Sequence, residues 1–141
     1  MTDLGVIGID VEDSRTERSF DELAAKVFGG AEQEAVRRGG KPAFYRIWAL
    51  REAFAKAADQ GFAGVLGRTD RFAGSADRFA IDAEQRIWTF QLDRYRDAYV
   101  AALALGIAPT TPNVDINAVL PQGLTTFPHR TSGAAARATS L

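Results

Sequence analysis

Side chains that commonly carry chemistry are scarce in this sequence. It has no cysteine and one histidine, His129, so thiolate metal sites and cysteine nucleophiles are excluded, and no Glu-x-x-His metal motif is present. His129 follows Pro128 and has no rigid setting for a catalytic triad. Gly5 and Gly8 match neither the dinucleotide nor the Walker spacing. We therefore expect no catalytic, cofactor-binding or metal-binding residues.

The carboxylates at helical spacing also indicate surface charge. Asp93 and Asp97 are the clearest pair, but arginines lie between them, which is typical of ion pairing rather than of an acid and base with separated pKa values. The 17 basic and 18 acidic residues leave a net charge of −1, which does not favour nucleic-acid binding. No apolar run approaches the roughly 20 residues of a membrane span. We expect a cytoplasmic protein that binds neither nucleic acid nor membranes.

Two helices are predicted in the first half of the chain. Ser19 and Glu22 have the spacing of a capping box, which places a short helix after residue 19. A central helix is predicted from Pro42 to Gly61. Its apolar positions are predicted to form core, namely Phe44, Ile47, Trp48, Phe54, Ala55 and Ala58. Its outer face is predicted to carry Arg46, Arg51, Glu52, Lys56 and Asp59, with Glu52 and Lys56 as a favourable pair.

A third and longest helix is predicted from about Asp77 or Asp82 to Leu105, where Gly106 ends it. Its apolar stripe comprises Ile81, Trp88, Leu92, Tyr95, Tyr99 and Leu103. The predicted fold class is mainly α: a small helical domain of two long antiparallel helices plus a shorter N-terminal helix, with extended N- and C-terminal arms.

Three regions are therefore expected. Residues 1–18 form an N-terminal arm or edge strand, residues 19–106 the helical domain, and residues 107–141 a proline-containing extended tail. The tail carries apolar side chains between its prolines, at Val114, Ile116, Val119, Leu120, Leu124 and Phe127. Such a segment is typical of an arm that orders against another surface.

Two stretches resemble a known family: Pro42 to Trp48 with Arg51 and Phe54, and Tyr95 to Leu103. They are similar to the helical N-terminal region of nitrile hydratase β subunits, their accessory proteins and thiocyanate hydrolase subunits. The resemblance implies a non-metal subunit that packs on an α subunit holding cobalt or iron in a cysteine-rich loop. It also implies that an arginine contacts the oxidised cysteine ligands, and Arg68 or Arg71 lies in the corresponding stretch.

The resulting hypothesis is a non-catalytic helical subunit or accessory protein of a multi-subunit complex, with other protein subunits as partners. The alternative is a phage-type head or tail protein whose terminal arms link neighbouring copies in a homo-oligomer. The residues expected at a partner interface are Trp48, Arg51, Arg68, Arg71, Trp88, Tyr95, Tyr99 and Phe127. A stand-alone enzyme is the remaining possibility.

Overall fold

The computed structural model of the protein describes residues 5–61 and 70–108. These residues form a four-stranded antiparallel sheet with the order β1-β4-β3-β2, and two helices. The elements in chain order are β1 (Val6–Asp13), α1 (Phe20–Val27), α2 (Gly30–Ala57), β2 (Arg78–Ala83), β3 (Arg86–Tyr95) and β4 (Tyr99–Ile107). Among the residues described, no helix combines the length and apolar character that crossing a membrane requires.

The mainly α prediction is wrong, because the expected third helix is instead the meander β2-β3-β4. Its turns explain the difference. Glu84 and Gln85 between β2 and β3, and Arg96 and Asp97 between β3 and β4, all have positive φ between 51° and 61°. Consecutive left-handed residues are what tight hairpin turns require. The aromatic stripe that suggested a helix is distributed over three strands, and its three- and four-residue spacing is coincidental.

The first two helices lie close to their predicted positions. Helix α1 begins at Phe20 with Ser19 at its N-cap, although the Ser19 side chain makes no capping hydrogen bond. Helix α2 is longer than predicted, because it begins at Gly30 and continues through a kink at Gly40 (φ 64°, ψ −148°). Pro42 is therefore the start of the second straight part of α2 and not the start of the helix.

Helix α2 packs across one face of the sheet and forms the core with it. Phe54 contacts the Trp88 ring edge-on at 4.6 Å between centroids, and Phe72 and Phe90 extend this aromatic cluster. Phe44 and Trp48 stack at 5.7 Å on the side of α1. All of them are buried, which confirms the predicted core face of the central helix.

Arg46 and Arg51 contradict the predicted charged outer face of α2, because both are buried. The Arg51 guanidinium donates to the Glu32 carboxylate at 2.5 and 2.9 Å, and these side chains are 2% and 0% exposed. Glu32 also accepts from the Phe72 amide at 3.1 Å. Arg46 donates to the carbonyls of Phe72 and Ala76. Arg46 directly, and Arg51 through Glu32, therefore hold the segment that follows residue 70 against α2.

The expected arm at 107–141 lies mostly outside the described residues, which end at 108. The boundaries proposed at 18/19 and 106/107 stay predictions. The described strands nevertheless show that the 19–106 region is not purely helical.

Candidate functional site

An acidic group lies where β1 crosses α2. Asp10 and Glu12 are two residues apart on β1 and therefore point to the same face of the sheet, the one on which α2 packs. Glu52 and Lys56 are one turn apart on α2 and face them. The Lys56 Nζ donates to Oδ1 of Asp10 at 2.7 Å and to the carbonyl of Ile9 at 3.2 Å. Asp10 and Glu12 thus lie beside Glu52 and Lys56, although the two pairs are about 40 residues apart in sequence.

Gly8 permits this close contact between β1 and α2. A Cβ at residue 8 would lie 2.0 Å from the carbonyl oxygen of Ala53 and 2.6 Å from the amide nitrogen of Ala57. Only glycine allows the backbone of β1 to approach the backbone of α2 so closely. The next inward-facing residue along the strand, Asp10, therefore comes within hydrogen-bond distance of Lys56.

Burial disfavours the ionised forms of the two glutamates, and repulsion from Asp10 adds to this. Burial raises the pKa of Glu12, and the negative charge of Asp10 raises it further. Burial likewise raises the pKa of Glu52, again with a contribution from Asp10. The hydrogen bond to Asp10 raises the pKa of Lys56, so the ammonium form is favoured. Crowded carboxylates with raised pKa values beside a lysine are typical of functional sites.

The group fits a hard divalent cation in its donor chemistry. Oδ2 of Asp10 is buried and has no hydrogen-bond partner among the described residues, and carboxylate oxygens are the ligands that Mg²⁺ prefers. In the described parts of the chain, 5–61 and 70–108, no three acidic or histidine side chains converge as an assembled metal site. A cation here would bind Asp10 and draw in the glutamate side chains of Glu12 and Glu52.

The six described residues of the predicted partner interface are not brought to one surface. Trp48, Trp88 and Arg51 lie within the chain's own interior. Arg71 donates to Glu84 at 3.2 Å. The structure brings together only two of the predicted residues that it describes, Tyr95 and Tyr99, whose rings stack at the β3–β4 hairpin with 6.4 Å between centroids. Arg68 and Phe127 lie outside the described residues, and a partner interface at these positions stays a prediction.

Sequence reasoning missed all four residues of the acidic group. One signal was available: two acids alternate with apolar residues in Gly8-Ile9-Asp10-Val11-Glu12, which places both on the inward face of a strand. Glu52 and Lys56 were instead explained as a solvated helical pair. Nothing in the local spacing links them to β1, because the link depends on the packing of α2.

Neither of two clefts lined by described residues includes a residue of this group in its lining. The larger, of about 520 Å³, lies between α1 and the first part of α2. A cleft of about 310 Å³ lies beside the β3–β4 hairpin, and its lining includes Lys41 and Arg94. Both cations already pair with carboxylates, at 2.9 Å to Glu17 and at 3.1 Å to Asp77. We therefore take the acidic group, rather than either cleft, as the candidate active site.

Comparison with family models identifies the family of this chain. The family described as ACPS, the 4'-phosphopantetheinyl transferase superfamily, matches residues 6–104. No curated protein matches the chain. Among solved structures, the holo-[acyl-carrier-protein] synthase of Thermotoga maritima is similar with 18% sequence identity and a TM-score of 0.49. The similarity covers 74% of this chain, and the chain spans 64% of that protein's length.

The family match overturns the predicted identity of the chain. The resemblance to nitrile hydratase β subunits and accessory proteins is wrong, since it depended on aromatic residues that this fold uses in its core and hairpins. The expectations of a non-catalytic subunit and of a phage structural protein are also wrong, because the matched family is one of transferases. The matched range includes the whole acidic group, Asp10, Glu12, Glu52 and Lys56.

Proposed function

We propose, since the chain belongs to the 4'-phosphopantetheinyl transferase superfamily, that it transfers a 4'-phosphopantetheinyl group to a hydroxyl of a carrier protein. The acidic group on β1 and α2 is the proposed active site. One observation carries this assignment: Lys56 and Asp10 form a 2.7 Å ion pair beside two glutamates whose pKa values are raised. A site of this kind can both neutralise phosphate charge and accept a proton.

The proposed reaction moves a phosphoryl centre between two oxygens. The acceptor hydroxyl oxygen forms a new bond to the phosphorus of the phosphopantetheinyl group. The bond from that phosphorus to the leaving phosphate of the donor pyrophosphate, as in coenzyme A, breaks. The hydroxyl proton passes to a base, and the leaving phosphate departs with the electron pair. Catalysis of such a transfer depends on positioning and on charge stabilisation.

Each residue of the acidic group has a proposed role. Lys56 supplies a positive charge to the donor phosphates, and its raised pKa keeps it protonated. Glu12 or Glu52 accepts the hydroxyl proton, because a raised pKa makes a glutamate a stronger base near neutral pH. Asp10 holds Lys56 in place. A divalent cation on Asp10, Glu12 and Glu52 would, when bound, neutralise further phosphate charge.

The test is direct transfer onto a carrier protein. The purified chain is incubated with coenzyme A, Mg²⁺ and a panel of apo carrier proteins. Intact mass spectrometry of each carrier then shows whether one phosphopantetheinyl group has been added. Variants Glu52→Gln and Lys56→Ala should lose about 100-fold or more in kcat/KM. Glu34→Gln is the matched control, because Glu34 lies on the same helix and pairs with Arg37 and Arg38 far from the site.

Two results would contradict the proposal. One is a folded wild-type chain that modifies no carrier in the panel. The other is retention of full activity by both site variants. The sequence led us to expect other protein subunits as partners, whereas a carrier protein would be a protein substrate. The cytoplasmic location stays a prediction.

A further inference from the structure

The two parts of α2, residues 30–39 and 41–57, turn back toward each other at Gly40. Glu32 and Arg51 are 19 residues apart, and in a straight helix they would be separated by about 28 Å. Their side chains nevertheless form a hydrogen bond of 2.5 Å. Gly40 provides the change of direction, because its backbone is non-helical with φ 64° and ψ −148°. The first part of α2 therefore presents Glu32 to the second part.

The ion pair between Glu32 and Arg51 is fixed at both ends. The two side chains are 0% and 2% exposed, and separating them is costly because each charge would remain buried without its partner. The Glu32 carboxylate also accepts from the Phe72 amide, and the Glu32 amide donates to the Asp70 carboxylate, each at 3.1 Å. The Arg51 guanidinium carbon lies 4.8 Å from the centre of the Phe28 ring. Glu32 is thus a rigid anchor for the Arg51 side chain.

Strand β1 holds the second part of α2 from the opposite side. Gly8 packs on the backbone of Ala53 and Ala57. Each residue advances about 100° around an α-helix, so Ala53 lies about 200° around the helix from Arg51. A helix held on one side only can turn about its own axis. Contacts on opposite sides, with β1 and with Glu32, fix its rotation.

We propose that Arg51 is a positioning residue for the transfer reaction, a role that rests on the proposed function of the acidic group. Its ion pair with Glu32 sets the rotation of α2, and that rotation places Lys56 beside Asp10. A side-chain atom about 6 Å from the helix axis moves by about 1 Å when the helix turns by about 10°. Such a movement takes the Lys56 ammonium, now 2.7 Å from Asp10, beyond hydrogen-bond range.

The first test removes the cation and then restores it. At a temperature where the protein is folded, Arg51→Met should lower kcat/KM for transfer from coenzyme A to a carrier protein by about 100-fold, because a misplacement of about 1 Å can cost that much. Arg51→Lys keeps a cation for Glu32 and should recover about 10-fold or more of this loss. Val36→Ala is the matched control, since it removes buried apolar volume from the first part of α2 and leaves the ion pair intact. It should lower the melting temperature and leave kcat/KM unchanged.

A double variant separates positioning from stability. Glu32→Met with Arg51→Met removes both buried charges, and apolar replacement of a buried ion pair often restores stability. The melting temperature should therefore exceed that of Arg51→Met, whereas kcat/KM should stay about 100-fold below the wild type. Recovery of kcat/KM together with the melting temperature would overturn the proposal, and so would full activity of Arg51→Met.

A structural measurement keeps this role separate from the proposed function. Crystal structures of the wild-type chain and of Arg51→Met give the distance from the Lys56 Nζ to the Asp10 carboxylate without coenzyme A or a carrier protein. The distance should lengthen by about 1 Å or more in the variant, and an unchanged distance overturns the positioning role. A wild-type chain that modifies no carrier refutes the proposed function instead, and this distance then still decides whether Arg51 sets the rotation of α2.

Discussion

Gly8→Ala should damage the site without touching any of its charged groups. The added Cβ would lie 2.0 Å from the Ala53 carbonyl oxygen, whereas Cβ contacts below 3.0 Å are essentially never observed. Strand β1 and helix α2 must therefore separate by at least about 1 Å, because both obstructing atoms belong to backbone. Overpacking of this kind costs about 2–3 kcal/mol. For a chain of this size the melting temperature should fall by about 6–12 °C.

The same separation should reduce transfer activity. It would lengthen the 2.7 Å contact between Asp10 and Lys56 beyond hydrogen-bond range, and a misplacement of about 1 Å can cost about 100-fold in rate. Melting is followed by circular dichroism, and transfer by intact mass of the carrier at a temperature where the variant is folded. Gly30→Ala is the control, since a Cβ there meets nothing within 4 Å. A Gly8→Ala protein with unchanged melting temperature would refute the close approach of β1 to α2.

Arg51→Met should destabilise the chain by about 3–5 kcal/mol in urea unfolding, because it leaves the carboxylate of Glu32 buried without its cation; a loss below about 1 kcal/mol would contradict the buried pair. Glu12→Gln should raise the melting temperature at pH 7, because the raised pKa of Glu12 means that its ionised form is disfavoured in the folded chain. This gain should vanish below pH 4.5, where Glu12 is protonated in both states, and a pH-independent gain would exclude the electrostatic cause. Gly106→Ala should cost about 1–3 kcal/mol and shift the fluorescence of Trp88, whose ring lies 2.8 Å from the added Cβ; an unchanged spectrum would count against this packing.

The helical parts of the fold were predictable because their signals are local. Ser19 marks the start of α1, and the core positions around Phe44 and Trp48 follow from helical spacing alone. The β2-β3-β4 meander was not predicted, since Ala-rich β4 has the composition of a helix and the turn at Arg96-Asp97 contains no glycine or asparagine. Tertiary pairing overrides these preferences, because each strand is stabilised by its neighbours.

The site was harder to predict for a different reason. Asp10 and Lys56 are 46 residues apart in sequence, and neither is unusual in its own segment. Their contact depends on Gly8, which permits the backbones of β1 and α2 to pack closely. The buried arginines show the same limit. Helical spacing places Arg51 on the outer face, and only the fold brings Glu32, 19 residues earlier on the same kinked helix, beside it.

The pairing of β1 with β4 also sets the order in which the site can be assembled. Within the described sheet, β1 pairs along its whole length with β4, from Val6 beside Gly106 to Asp13 beside Tyr99. Asp10 and Glu12 are synthesised before the other described elements, yet the strand that carries them gains its neighbour only when β4 has been made. Contacts of such high sequence separation form slowly, since the loop entropy must be lost before they are made. During synthesis the acidic group should therefore be completed last, after α2 and the meander have folded.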